Sequence, residues 1–477
     1  MERKKVDVAI IGTGTAGMGA YREAAKTTDS IALIEAGKYG TTCARVGCMP
    51  SKLLIAAAES AHNVEKAHKF GVNAEITKID GKAVMNRVRS ERDRFVGFVL
   101  ESVEGFNPDH RIKGYAKFID DNTLQIDDKL IIEAKAIVIA TGSSPATPPI
   151  FQDVVDRLII NDDVFDWDDL PGSAALFGPG VIGLEIGQAL HRLGVDVKIF
   201  GRGGFVGPLS DPEILDYTTK AFQEEFYINP DADVTSIKQI DDKVQITYRD
   251  FDGTCLTTSF DYVLATTGRA PNVKNLGLEN TSLPLDKSGV PIFDPYTAQI
   301  GDHPVFIAGD ANNDRPLLHE AADEGRIAGA NAGTYPTVKA GKRTSSLGVV
   351  FSDPQLATIG SSFSSLKEGC FATGEVSFEG QGRSRTMLVN KGLMHVYGEQ
   401  GTGLLLGAEI FGPRAEHLAH LLAWCHQQKM TISEILEMPF YHPVIEEGLR
   451  TALRDLNSKL HIGPAPVEGC IDCGPGA

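Results

Sequence analysis

The fold is decided by one stretch, Val6-Asp7-Val8-Ala9-Ile10-Ile11-Gly12-Thr13-Gly14-Thr15-Ala16-Gly17. An apolar run that ends in Gly-x-Gly-x-x-Gly predicts a strand, a tight turn and the start of a helix. In such a turn Gly12 permits the bend, Gly14 lets the backbone approach a pyrophosphate, and Gly17 lets helix and strand pack closely. The helix directs the positive end of its dipole at the phosphates. The stretch therefore predicts a dinucleotide-binding unit.

The residues that follow complete this unit. The apolar run 31–34 ends in Glu35, where an acid would bind ribose hydroxyls. The alternative is an ordinary strand–turn–helix unit with a solvated Glu, but strand, glycine spacing and acid are all in register. A second copy, Gly178-Pro179-Gly180-Val181-Ile182-Gly183, follows the apolar run 174–177. We therefore predict two dinucleotide-binding domains in one chain.

Composition limits the classes of function. The chain has 477 residues, enough for about three domains. Its net charge of −17 argues against a nucleic-acid partner, because phosphate binding requires clustered Lys and Arg. No run approaches the roughly 20 apolar residues that a membrane-spanning helix needs. The first residues do not resemble a signal peptide. We expect a cytoplasmic protein that binds neither membranes nor nucleic acid.

The strongest chemical signal is Gly40-Thr41-Thr42-Cys43-Ala44-Arg45-Val46-Gly47-Cys48-Met49-Pro50-Ser51-Lys52. Two cysteines at this spacing can close a disulfide if Cys43 lies in extended or turn backbone just before a helix. Pro50 favours the first turn of that helix, so Cys48 would sit at its N-terminus, where the dipole stabilises a thiolate. Lys52 would lie on the same helical face. A structural disulfide is disfavoured in a reducing compartment, and half a zinc site lacks a nearby second ligand pair.

This motif resembles that of the class I pyridine nucleotide-disulfide oxidoreductases, most closely the dihydrolipoamide dehydrogenase and mercuric reductase branches. Thr41 and Arg45 depart from the family pattern without touching the cysteines or Lys52. Further motifs of the family occur in its order along essentially the whole chain: 140–143, 178–185, 268–272, 308–310, and His442-Pro443 with Glu447.

The resemblance implies an FAD site and a fold. The fold would be α/β, with two Rossmann-like domains for FAD and NAD(P) and a C-terminal α+β dimerisation domain. The implied limits are 1–150 and 271–343 for the FAD domain, 151–270 for the NAD(P) domain, 344–462 for the interface domain and 463–477 for a flexible tail. The residues implied in FAD binding are Gly12, Gly14, Gly17, Glu35, Thr42, Lys52, Thr141, Gly142 and Asp310.

The resemblance also implies the catalytic roles. Cys48 would be the charge-transfer thiol beside the flavin, and Cys43 the interchange thiol that meets the substrate. Glu185 would pair with Lys52 near the flavin N5. His442, oriented by Glu447, would act as acid–base for Cys43 of the partner subunit in a homodimer. His is the side chain that titrates near pH 7, which suits this role. No residue is predicted to bind a metal.

The nicotinamide site is implied at Gly178, Gly180, Gly183, Arg202 and Gly268. NAD-preferring relatives carry an acid after the strand 195–200, where this chain reads Gly201-Arg202-Gly203-Gly204. Arg202 could hold a 2′-phosphate, or it could be a solvated side chain. NADH or NADPH stays open, with a preference for NADPH or dual use. Pro179 replaces a small residue of the family motif and offers no N–H to a phosphate.

The Gly- and Pro-rich end carries Cys470-Ile471-Asp472-Cys473. Mercuric reductase and the larger thioredoxin reductases use a C-terminal cysteine pair as a relay. An inert tail is the equal alternative, because neighbouring carboxylates raise a thiol pKa. Metal handling is a third reading, although one pair supplies only two of four zinc ligands.

Taken together, the sequence predicts an enzyme that moves electrons between NAD(P)H, FAD and the pair Cys43–Cys48. The substrate would be a small dithiol or disulfide, and dihydrolipoamide is the first candidate. A mercuric-ion or other disulfide reductase that uses Cys470 and Cys473 is the alternative within the enzyme class. An FAD-loaded redox sensor that does not turn over is the alternative outside it.

Overall fold

The computed structural model describes residues 2–463 of the chain. The helices are, in chain order, α1 (Thr15–Ala24), α2 (Thr42–Val46), α3 (Cys48–Lys66), α4 (Gly81–Glu104), α5 (Asn161–Val164), α6 (Val181–Arg192), α7 (Pro212–Gln223), α8 (Leu318–Thr334), α9 (Gly382–Thr386), α10 (Ala415–Gln427), α11 (Ile432–Leu436) and α12 (Glu446–Lys459).

The strands of the first half are β1 (Glu2–Ile11), β2 (Ile31–Glu35), β3 (Arg111–Lys113), β4 (Ala116–Asp120), β5 (Thr123–Ile126), β6 (Leu130–Ile139), β7 (Ser143–Pro145), β8 (Leu158–Ile160), β9 (Ser173–Phe177), β10 (Asp196–Phe200) and β11 (Tyr227–Asn229). Those of the second half are β12 (Val234–Ile240), β13 (Lys243–Arg249), β14 (Cys255–Phe260), β15 (Tyr262–Ala265), β16 (Arg269–Pro271), β17 (Val305–Ile307), β18 (Leu347–Val350), β19 (Gln355–Gly360), β20 (Phe371–Ser377), β21 (Leu393–Glu399) and β22 (Leu405–Gly412).

The first sheet is built around β1, which pairs in parallel with β2 and β6, while β17 joins β6 in parallel. Its strands are apolar on both faces, as in Ile10 and Ile11, because α1 and α8 pack on one face and other apolar residues on the opposite face. Ile11 lies opposite Ile139 at the carboxyl ends of β1 and β6. Ligands of open α/β sheets bind beyond such strand ends.

The second sheet has the strand order β11-β10-β9-β15-β8 and is parallel throughout. A three-stranded antiparallel sheet, β12-β13-β14, packs beside it and buries Tyr248 and Phe260. Sequence analysis did not predict this small sheet, although the alternation in Val244-Gln245-Ile246-Thr247-Tyr248 is typical of a half-buried strand.

The C-terminal sheet is antiparallel with the strand order β18-β19-β22-β21-β20, and α10 and α12 pack against it. The predicted fold class, two Rossmann-like domains and a C-terminal α+β domain, is therefore confirmed. The domain limits given above stay a prediction, and the tail beyond 463 lies outside the described residues. The long helix α4 begins at Gly81, because the Asp80 carboxylate caps it by accepting from Ala83 N at 3.1 Å.

Candidate active site

The first glycine turn is packed so tightly that two of its glycines have no room for a side chain. A Cβ on Gly12, whose φ is +110°, would lie 2.2 Å from Ala140 O, and a Cβ on Gly17 would lie 1.9 Å from Gly12 O. A Cβ on Gly14 would meet nothing within 4 Å. Gly12 and Gly17 thus hold α1 against the sheet, while Gly14 faces open space at the helix N-terminus, as a phosphate site requires.

The Glu35 carboxylate is fixed beside this turn. Its Oε2 accepts from Thr13 N at 3.0 Å and from Thr13 Oγ1 at 2.7 Å, and its Oε1 accepts from Gly37 N at 2.8 Å. These bonds hold a negative charge at the carboxyl end of β2, in the position that the sequence predicted for an acid contacting ribose.

Two cavities meet at this turn and share part of their lining, and we refer to them together as the trough. One, of about 600 Å³, is lined by Gly12, Gly14, Glu35, Thr42, Thr141 and Gly142. The other, of about 340 Å³, is lined by both cysteines, Lys52, Glu185 and Asp310, and it shares Gly14, Thr42 and Gly142 with the first.

The trough fits FAD. The Thr141 Oγ1 atom is buried without a hydrogen-bond partner within residues 2–463, and Gly142 has open space where a Cβ would stand. An elongated dinucleotide would satisfy the hydroxyl and fill the space, with its adenosine end near Glu35 and its flavin end near the cysteines.

The redox pair lies on two consecutive helices. Cys48 is the first residue of α3, as predicted, whereas Cys43 lies within the short helix α2 and not in the extended or turn backbone named above as the condition for a disulfide. Thr41 explains the difference, because its Oγ1 accepts from Ala44 N at 3.2 Å and caps α2. A Cβ on Gly47 would lie 3.1 Å from Cys43 Cα, so a glycine brings the two helices together.

The two thiols are electronically unequal. A hydrogen bond from the Cys43 thiol and the charge of Lys52 lower the pKa of Cys48 to about 7, against the opposing effect of burial. The same hydrogen bond and burial raise the pKa of Cys43. Cys48 is therefore the more acidic thiol of the pair.

Lys52 is paired with Glu185 in the same cavity. Lys52 Nζ lies 2.7 Å from Oε2 and 2.9 Å from Oε1 of this carboxylate, which is 4% exposed. Phe351 N donates to Glu185 Oε1 at 3.0 Å, and the Phe351 ring lies 4.5 Å from Lys52 Nζ. The carboxylate is thus held on two sides, which fixes the ammonium group beside the cysteines.

Four polar side chains also line the cavity that contains the cysteines. The Asp310 Oδ2 atom accepts from Ser143 Oγ at 2.7 Å, and Arg269 Nε donates to the same hydroxyl at 2.9 Å. Asn161, which is 5% exposed, donates from Nδ2 to Val46 O at 3.0 Å. Sequence reasoning missed Asn161, because no motif surrounds it and its partner lies far away in the chain.

The second glycine turn repeats the first. A Cβ on Gly178 would lie 2.3 Å from Thr266 O, and one on Gly183 would lie 2.0 Å from Gly178 O, whereas one on Gly180 would meet nothing within 4 Å. Gly268, with φ of +102°, takes the place that Gly142 has in the first unit. Pro179 is compatible with the turn, since its carbonyl accepts from Gly207 N at 2.7 Å.

The loop after β10 contains a free cation and, unexpectedly, a nearby carboxylate. Arg202 is exposed and forms no hydrogen bond or ion pair with any residue that the structure describes. Gly203 N donates to Asp231 Oδ1 at 2.8 Å, so a carboxylate from beyond β11 lies against this loop. The cation of Arg202 and the carboxylate of Asp231 are thus both present at this loop, and the choice between NADH and NADPH stays open.

His442 and Glu447 form a pair at the surface. His442 Nδ1 lies 2.9 Å from Glu447 Oε1, and Val444 N donates to Glu447 Oε2 at 3.2 Å. The bond to His442 lowers the pKa of Glu447. The His442 side chain is 80% exposed and is not among the residues that line the cysteine cavity. Within one chain the structure does not bring this pair to the cysteines.

Cys470 and Cys473 of the C-terminal tail lie outside the described residues.

The amino-acid sequence matches the models of a known protein family and several of its members. Residues 6–325 match the family model described as pyridine nucleotide-disulphide oxidoreductase, and residues 346–453 match the dimerisation domain of that family. A dihydrolipoyl dehydrogenase of Bacillus subtilis is 28% identical over 96% of this chain and 98% of its own. A mercuric reductase of Shigella flexneri is 29% identical over 94% of this chain and 80% of its own.

Solved structures share the fold. LpdA from Mycobacterium tuberculosis superposes with a TM-score of 0.79 at 23% identity, covering 95% of this chain and 99% of that one. The Cu(II) complex of the HOCl-induced flavoprotein disulfide reductase RclA from Escherichia coli gives a TM-score of 0.78 at 21% identity, with the same two coverages.

None of the helices within residues 2–463 is long and apolar enough to cross a membrane.

Proposed function

Because the chain belongs to the pyridine nucleotide-disulphide oxidoreductase family, whose members use FAD and NAD(P), we propose that it carries electrons from a nicotinamide cofactor to the pair Cys43–Cys48 and on to a small disulfide. One observation carries the proposal. The two cysteines lie beside the Lys52–Glu185 ion pair, in a cavity that shares Gly14, Thr42 and Gly142 with the cavity at the first glycine turn.

FAD bound in the trough supplies the chemistry that passes a hydride from NAD(P)H on to a disulfide as an electron pair. The chain holds it with the Gly12–Gly17 turn, Glu35, Thr42, Thr141, Gly142 and Asp310. The second turn at Gly178, Gly180 and Gly183, with Arg202 and Gly268, holds the nicotinamide cofactor. Lys52 and Glu185 keep a fixed positive charge next to Cys48, which favours the thiolate after reduction.

The exchange with substrate uses both thiols in turn. Cys43, once deprotonated, attacks one sulfur of the substrate disulfide and expels the other as a thiolate. The Cys48 thiolate then attacks Cys43, which releases the second substrate sulfur and restores the intramolecular disulfide. Each released sulfur takes a proton. We propose that His442, held by Glu447, moves the protons to and from Cys43 of the partner subunit, since a thiol must ionise to attack.

Within this class, dihydrolipoyl dehydrogenase activity is our first candidate, because relatives of that name align along nearly the whole chain. Run in that direction, the same steps oxidise a dithiol. A mercuric-ion reductase is the second candidate, supported by the alignment with a mercuric reductase and by the pair Cys470 and Cys473 in the sequence. A Cys470→Ser, Cys473→Ser double variant that loses Hg(II) reduction and keeps lipoamide reduction would favour the second.

The test of the proposal is turnover by cysteine variants. Cys43→Ser and Cys48→Ser should each abolish NAD(P)H-dependent reduction of every disulfide in a panel that includes lipoamide, while FAD stays bound. Cys255→Ser, which removes an exposed cysteine far along the chain, is the control and should retain wild-type turnover. Turnover that persists without Cys43 would refute the proposal. A wild-type protein that is reduced once and turns over no disulfide would instead indicate a redox sensor.

A further inference from the structure

A buried histidine lies between two carboxylates where the second dinucleotide domain contacts the C-terminal sheet. His395 on β21 lies directly opposite Glu375 on the neighbouring strand β20. Glu213 reaches the same point from the first turn of α7. One nitrogen or oxygen atom from each of the three side chains falls within 4.8 Å of the others. Helix α7 and two neighbouring strands of the C-terminal sheet thus converge on one point.

The imidazole is oriented so that one nitrogen faces the carboxylates. His395 Nδ1 lies 2.7 Å from Oδ2 of Asp211, a residue that is 3% exposed. Tyr397 donates to the same oxygen at 3.0 Å. His395 Nε2 points the other way and lies 3.8 Å from Glu213 Oε2, too far for a hydrogen bond. Within residues 2–463, Nε2 has no hydrogen-bond partner, although the His395 side chain is only 5% exposed.

The surroundings of the cluster carry an excess of negative charge. Asp211, Glu213 and Glu375 all face the imidazole, and Lys459 contacts the edge of the cluster at 3.3 Å from Glu375 Oε1. Lys459 also lies 2.8 Å from Asp455 Oδ2, so it keeps an anionic partner if Glu375 turns away. The Glu213 and Glu375 side chains are 66% and 48% exposed. An ion could therefore enter from solvent.

From this arrangement we infer that His395, Glu213 and Glu375 form a binding site for a divalent transition-metal cation such as Zn²⁺, with Asp211 orienting the histidine. A carboxylate that accepts from the far nitrogen of a ligating histidine is the usual support of such sites, because it fixes the tautomer and the ring. One imidazole and two carboxylates suit Zn²⁺, and a fourth position stays open to solvent. The bound ion links α7 of the second dinucleotide domain to the C-terminal sheet, because it is coordinated by residues of both.

The competing explanation is a protonated imidazole that needs no metal. Burial lowers the pKa of His395, but its bond to Asp211 and the three carboxylate charges raise it overall. A proton on Nε2 would offset part of the negative charge without drawing Glu213 and Glu375 into a common coordination sphere. The two explanations differ in one measurable respect: only a metal site loses cation affinity when either exposed carboxylate is removed.

The experiment is a calorimetric titration of the full-length, FAD-loaded protein with Zn²⁺ after treatment with a chelator. The protein is kept oxidised, so that Cys43 and Cys48 are joined, and carries Cys470→Ser and Cys473→Ser, so that the tail binds no zinc. The background protein should bind one Zn²⁺ per chain. Glu213→Gln, Glu375→Gln and His395→Gln should each weaken that binding about tenfold or more, as loss of a metal ligand or its support does.

Asp216→Asn is the matched control, since it removes an exposed carboxylate from the same helix outside the cluster and should leave zinc affinity unchanged. The two Gln variants at exposed positions test the inference even if His395→Gln does not fold. Zinc should also raise the melting temperature of the background protein and not that of Glu375→Gln. Equal zinc affinity in the background protein and both Gln variants, or no binding in any of them, would overturn the inference. Disulfide turnover, measured in parallel, separates this outcome from the fate of the proposed function.

Discussion

The acidity of the Cys48 thiol has two sources in the structure, the hydrogen bond from Cys43 and the ammonium group of Lys52 one helical turn away. These sources hold its pKa at about 7, well below its ordinary value. In the reduced protein the thiolate therefore persists above about pH 7 and is lost as the pH falls through that value. The Lys52 contribution can be isolated, because Lys52 is held by Glu185 and not by the cysteines.

We predict that Lys52→Met raises the pKa of Cys48 by about one unit or more, the effect of removing a nearby opposite charge. The Glu185 carboxylate, left without its partner, acts in the same direction. The rate of Cys48 alkylation in the reduced protein, followed against pH by peptide mass analysis, measures the shift. Lys66→Met, at the far end of α3, is the control. An unchanged titration in Lys52→Met would show that the ammonium group does not act on this thiol.

At the scale of single residues, the sequence predicted the features that depend only on the spacing of neighbouring positions. Cys48 at the start of a helix and Lys52 one turn later follow from local spacing, and the partner Glu185 came from the family resemblance. Asn161 and Asp231 were missed, because their contacts join residues that only the folded chain brings together. The same holds for His395, whose neighbours Glu213 and Glu375 belong to other elements. The helical position of Cys43 depends on Thr41, whose capping bond to Ala44 N no motif in the sequence announces.

The two glycine turns are the elements that make the dinucleotide sites, and their glycines divide into two kinds. In each turn a Cβ on the first or the third glycine would clash with backbone atoms, whereas a Cβ on the middle glycine would meet open space. The first kind maintains the packing of helix on sheet, and the second leaves room for phosphate. Substitutions should therefore separate stability from cofactor binding.

In the second turn we predict that Gly183→Ala lowers the free energy of unfolding by about 1–3 kcal/mol, the usual cost of overpacking. Gly180→Ala should leave stability unchanged and raise the KM for the nicotinamide cofactor about tenfold, which corresponds to about 1.4 kcal/mol of lost binding. Urea denaturation and steady-state kinetics measure the two quantities. If Gly180→Ala were the less stable variant and bound the cofactor normally, the assignment of roles would be wrong.

At the element scale, the sequence patterns succeeded where the periodicity was strong. The strand–turn–helix units at Gly12 and Gly178 were predicted correctly. The antiparallel sheet β12-β13-β14 was not predicted, although one of its strands alternates clearly. The sequence of this sheet carries no glycine motif and differs from the nucleotide-binding pattern on either side of it.

At the scale of the whole molecule, the central question is which chain supplies the acid–base group. The match to a dimerisation domain supports a homodimer. His442 is largely exposed and lies away from the cysteine cavity of its own chain. We therefore propose that each active site is assembled from two subunits.

We predict that a heterodimer of a Cys43→Ser chain and a His442→Gln chain recovers about half of wild-type disulfide reduction, because one of its two sites then has both intact groups. Each homodimeric parent should be nearly inactive. Co-expression with two different tags isolates the heterodimer for the assay. If His442 served the cysteines of its own chain, both sites of the heterodimer would be defective and no activity would return.

The account as a whole depends on Cys43 and Cys48 forming a disulfide that accepts electrons through the bound flavin. Anaerobic reductive titration of the purified protein tests this most directly. We predict uptake of about four electrons per chain, two by the flavin and two by the cysteine pair, falling to about two in Cys43→Ser. A wild-type protein that accepts only two electrons per chain, with both thiols free in its oxidised form, would contradict the account.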